Sequence, residues 1–63
     1  MDKNLSHPPV DVFELARALG LHPAPWHRPY GELREDEIRY PGLAPAHVQR
    51  AIIAREIVRA LLR

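Results

Sequence analysis

The sequence predicts a mainly α fold: a small helical domain with a capped short helix, a long C-terminal helix, and room for one short strand or hairpin between them. Three observations carry this expectation. Val12 to Leu19 is a short apolar-periodic stretch with clear start and stop signals. Beyond Pro45 the chain runs to Arg63 with no Gly or Pro and with apolar residues at helical spacing. Between the two, Pro23, Pro25 and Pro29 remove backbone donors and fix extended geometry, so His22 to Pro29 reads as a stiff connector.

At 63 residues the chain holds one domain at most. A domain of this size buries only roughly 60% of the surface its unfolded chain exposes, so its core is marginal. Residues 1–9 read as a flexible N-terminal tail and 10–63 as a single small helical domain. Hydrophobic residues make up 46% and charged residues 27%, a balance that supports folding rather than disorder. There is no cysteine, so a disulfide framework is excluded and self-association or close packing must supply the stability. No apolar run approaches the roughly 18 residues of a membrane span, and Met1-Asp2-Lys3-Asn4 lacks the layout of a signal peptide. The expected location is cytoplasmic, with no membrane partner. A formal net charge of +1 gives no global attraction to nucleic acid.

The first helix has Asp11 as N-cap, Glu14 three residues on to complete a capping box, and Val10 placed to staple onto Leu15. Gly20 supplies the left-handed position after the helix, and Leu21 folds back on the last turn. Trp26, in the connector, is expected to plug the edge of the core rather than bind a ligand. Residues 31–40 support two readings. Glu32 to Glu37 has helical propensity, while Ile38 and Tyr40 alternate with charged neighbours as a strand would. A hairpin turning at Glu35-Asp36 lacks the Asn-Gly or Asp-Gly chemistry of such turns. Pro41-Gly42 is a turn, Pro45 suits the first position of the last helix, and Leu43 and Val48 can form a staple. Leu15, Leu19, Leu21, Trp26, Ile38, Leu43, Val48, Ile52, Val58 and Leu62 are the candidate core.

Plotted at 100 degrees per residue, the last helix has an apolar arc too broad for one short partner helix to cover. Ile53, Ile57 and Leu61 are therefore expected to meet a second copy of the chain, as a homodimer. Arg55, Glu56, Arg59 and Arg63 fill the remaining polar sector, with Glu56 in reach of Arg59 and, more distantly, Arg63.

Arg55-Glu56-Ile57-Val58-Arg59 has the outline of the His-Glu-x-x-His zinc-protease motif with both histidines replaced. In that motif two imidazoles one turn apart hold the metal, and the glutamate activates the bound water. Arginine stays protonated and offers no lone pair, so only the general-base position, Glu56, is retained.

Around this pentapeptide, three segments resemble the ImmA/IrrE family of metallopeptidases. Pro9-Val10-Asp11-Val12-Phe13-Glu14-Leu15-Ala16-Arg17-Ala18-Leu19-Gly20-Leu21 resembles the family's first helix. Ile38-Arg39-Tyr40-Pro41-Gly42-Leu43-Ala44-Pro45 resembles its short strand and approach to the motif helix, and Arg50 to Arg63 resembles that helix itself. The order and approximate spacing match across most of the chain. The departures are Arg55, Arg59 and Val58 in place of the two ligands and the small residue before the second, and the third metal ligand, which the family places after the position where this sequence stops.

The resemblance implies a degenerate, truncated front half: no catalytic residues, no metal, no cofactor, and not an enzyme. Action through protein–protein interaction follows, with Ile53, Ile57, Leu61, Arg55, Arg59 and Arg63 as the interaction residues. The alternative is a regulatory binding module for a transcriptional repressor or antitoxin partner, since family members often act on such proteins. Nucleic-acid binding through Arg55, Arg59 and Arg63 ranks lower, because the stripe is short and Glu56 interrupts it. His7, His22, His27 and His47 have no metal-ligand spacing with one another.

Overall fold

The computed structural model describes residues 11–63. The expected tail, His7 and the Val10 half of the staple lie outside the described residues. The chain order is α1 (Val12–Ala18), β1 (His22–Trp26), β2 (Glu32–Arg34), β3 (Glu37–Pro41) and α2 (Ala46–Leu62). The strands form one mixed sheet in the order β1-β3-β2, with β1 parallel and β2 antiparallel to the central β3. The fold is therefore α+β, and the mainly α expectation is overturned.

The strand content was hidden by its chemistry. His22-Pro23-Ala24-Pro25-Trp26 forms an edge strand despite its prolines, because the backbone groups that face β3 belong to its even-numbered residues. His22 N donates to Asp36 O at 2.8 Å, and Trp26 O accepts from Gly42 N at 3.0 Å. Pro23 and Pro25 alternate with these, so their missing donors fall on the outer edge, where prolines also block pairing with another strand. Residues 32–41 resolve as the hairpin β2–β3, pairing Arg34 with Glu37 across a two-residue loop. Without glycine at the first loop position, Glu35 itself adopts φ 55°, the left-handed geometry that a tight hairpin requires there.

Helix α1 ends where its signals place it. Asp11 accepts from Phe13 N at 3.0 Å and Glu14 N at 3.3 Å. At the other end Gly20 (φ 81°) donates to Arg17 O and Leu21 to Ala16 O, a Schellman closure that buries Leu21. Helix α2 begins one residue later than expected, with Pro45 as N-cap and no side-chain cap. Gln49 Nε2 instead reaches back to the loop carbonyls of Gly42 and Ala44, both at 3.1 Å. Leu43 is 92% exposed, so the expected Leu43–Val48 staple does not form.

The core consists of Ala16, Leu21, Ile38, Ile53 and Ile57, flanked by Val12, Phe13, Leu33, Tyr40 and Ala60. Of the candidate core, Leu21 and Ile38 are buried, and Val48 and Ile52 are partly buried. Leu15, Leu19, Leu43, Val58 and Leu62 are exposed, and Trp26 sits outside this cluster. Both helices lie on one side of the sheet, α1 against β1 and α2 against β2 and β3. Among the described residues no element packs on the other side.

Candidate functional site

On α2, Gln49, Ile52, Ile53, Glu56, Ile57 and Ala60 are all buried or partly buried, at the 3–4 residue spacing of a single helix face. Glu56 lies in the middle of this sheet-facing stripe, 2% exposed, rather than in an outer polar sector. Ile53 and Ile57, expected at a dimer interface, are 0% and 4% exposed inside the monomer and are unavailable to a partner. Leu61, at 64%, is the one apolar residue of the expected interaction set that remains exposed.

The three members of the motif diverge. Arg55 is exposed. Arg59 Nε stands 3.7 Å from Glu56 Oε1, with its own side chain 57% exposed, a loose pair across one helical turn. Glu56 Oε1 has no hydrogen-bond partner among the described residues. Arg63 does not turn back toward Glu56. It pairs with Asp36 Oδ1 at 3.0 Å and donates to Glu35 O at 2.6 Å, fastening the end of α2 to the β2–β3 turn. Gly31 passes close above the stripe, where a Cβ would collide with Ile52 Cγ2 and stand 3.5 Å from Glu56 Oε2. Among the described residues no group of three or more His, Asp or Glu is placed to hold a metal ion.

The open side of the sheet holds a second constellation. Alternation puts Leu33, Ile38 and Tyr40 under the helices, so Glu32, Arg34, Glu37, Arg39 and, in register with Pro41, Trp26 share the opposite face. Trp26 Nε1 donates to Tyr30 O at 2.8 Å, and the two rings meet edge to face at 5.3 Å. The guanidinium carbons of Arg39 and Arg28 lie 5.5 Å and 5.8 Å from the indole centroid, both within cation–π range. Arg39 is held by Glu37 at 2.8 Å. That hydrogen bond, and then the charge of the carboxylate, raise the already high pKa of Arg39, which stays charged.

Trp26 divides two concavities on this surface. On one side a mostly apolar notch of about 270 Å³ is lined by Pro29, Pro41, Leu43 and Ala44, together with His27 and Arg28, which also line the other. On the other a cleft of about 460 Å³ is lined by Arg28, Tyr30, Glu32, Arg34 and Arg39. Three arginines line this cleft against Glu32, and one of them, Arg39, is paired with Glu37.

This constellation is hidden in the sequence, where Trp26 looks like a core plug and Arg28 and Arg39 stand in separate segments. The available signal was the alternation Glu37-Ile38-Arg39-Tyr40, which, taken as a strand, already sends Arg39 away from Ile38. The chain matches no family model, no curated protein and no solved structure.

Proposed function

We propose that the chain is a non-catalytic, cytoplasmic protein-interaction module related to the front half of the ImmA/IrrE metallopeptidases. The observation that carries this reading is the state of the motif. Arginines stand at both ligand positions, both of them exposed, and the glutamate that would activate water is buried beside Gly31. No helix among the described residues is long and apolar enough to cross a membrane. Partner binding is supported by exposed apolar residues at both helices: Leu15 on α1 and Leu19 at its C-cap, and Val58, Leu61 and Leu62 on α2. Homodimerisation is proposed through the last turns of α2, with Leu61 and Leu62 at its centre.

Light scattering at increasing concentration tests self-association, with an expected mass of twice the 7.2 kDa chain. A monomer throughout removes the homodimer and leaves a heterologous protein partner, such as a repressor or antitoxin, as the reading. For chemistry, the double substitution Arg55→His and Arg59→His is expected to yield no zinc-dependent proteolysis. Measurable cleavage by that variant would overturn the non-enzymatic reading.

A further inference from the structure

We propose that the open sheet face binds an acidic peptide segment of a partner protein, with a carboxylate in the arginine cleft and a neighbouring apolar side chain in the notch beyond Trp26. The inference rests on the protein-interaction reading above and assigns it a surface. Three features support it.

The first is composition. Trp26, Tyr30 and the arginines at 28, 34 and 39 are the residue types that dominate binding energy at protein interfaces, gathered on one small surface. The second is available charge. Arg39 is committed to Glu37, and Arg34 reaches Glu32 only at 3.9 Å with its side chain 63% exposed. No ion pair among the described residues involves Arg28, so Arg28 and Arg34 present guanidinium forks for a bidentate carboxylate. The third is the notch. Leu43 is 92% exposed beside Pro29 and Pro41, where a leucine gains nothing from the fold but can cover an incoming apolar side chain.

A nucleic-acid strand fits this surface less well. Along the sheet from the arginine cleft lie Glu35, Asp36 and Glu37, which repel a continuing phosphate backbone. A peptide ends its charge after one or two residues and carries apolar side chains between them. It uses both concavities at once.

Panning a phage-displayed library of random peptides on the full chain tests this, followed by titration of synthetic versions of the enriched peptides. Trp26, the only tryptophan, reports occupancy by fluorescence. Enrichment of Asp or Glu adjacent to a large apolar residue is expected. The double variant Arg28→Glu, Arg34→Glu should then weaken binding by about tenfold or more, since each fork makes a charge-assisted bond. Leu43→Ser should weaken it several-fold. All three positions are exposed, and circular dichroism checks that the variants keep the fold. Enriched peptides without carboxylates, or equal binding to the charge-reversed variant, overturn the cleft while sparing the protein-interaction reading. No enriched peptide, together with saturable binding of oligo-dT, overturns both.

Discussion

Ile53 and Ile57 lie within about two and a half turns of Leu61 and Leu62 on the same helix, yet the first pair is 0% and 4% exposed and the second 64% and 80%. All four are apolar, and an isolated α2 would treat them alike. The difference is made by what stands opposite. Ile53 and Ile57 cluster with Ile38 of the central strand and with Ala16 of α1, whereas the last turn of α2 is fastened at its end to a polar hairpin turn by Arg63. Hydrophobicity on a helix marks what could be buried; the neighbouring sheet selects what is.

The sharpest way to break this comparison is truncation on either side of it. Ile53→Ala should cost about 2–5 kcal/mol, enough to unfold much of a chain this small. Leu62→Ala should change the stability of the monomer by only about 0.5 kcal/mol. Urea denaturation of both variants at a concentration where the chain is monomeric measures the contrast, and equal losses would mean that the last turn is as well packed as the middle.

Next in size is Gly31→Ala. The added methyl would meet Ile52 and force β2 and α2 apart, for a loss of about 1–3 kcal/mol, read from the same denaturation curves. A smaller loss would mean that close approach of strand and helix is not what seals the inner stripe.

Glu56→Met should act in the opposite direction. The carboxylate is 2% exposed, its Oε1 has no hydrogen-bond partner among the described residues, and Arg59 is too exposed to compensate it fully. A flexible apolar replacement is expected to raise stability by about 1–3 kcal/mol. Arg59→Ala should lower it by roughly 1 kcal/mol, because among the described residues it removes the one cation paired with this buried charge. A loss on Glu56→Met would assign Glu56 a structural partnership that its surroundings do not provide.

The smallest effect is expected at the hairpin. Glu35→Gly relieves a left-handed residue but enlarges the entropy of the unfolded chain, leaving a net gain below about 1 kcal/mol in thermal denaturation.

Local signals in the sequence were legible wherever the physics is local. The Asp11 cap, the Gly20-Leu21 closure and the long uninterrupted helix depend on residues a few positions apart, and each forms. The sheet was not legible. Its edge strand is built from prolines tolerated only because β3 lies on the other side, and its hairpin uses a glutamate where glycine is usual. The motif on α2 was visible as a pattern, but its meaning depends on orientation. Placing Glu56 in an outer polar sector followed from charge alone and missed the inner stripe.

By itself, then, the sequence determined the two helices, the cap and closure of the first, and the arginines at 55 and 59 that offer a metal no lone pair. Side-chain chemistry and short-range hydrogen bonding suffice for these. Tertiary structure alone decided that 22–26 is a strand, that Ile53 and Ile57 face inward with Glu56 between them, and that Trp26 meets Arg28 and Arg39 on an open face. Each of these is a choice between two sides of an element. A side is defined only by the partner that covers it.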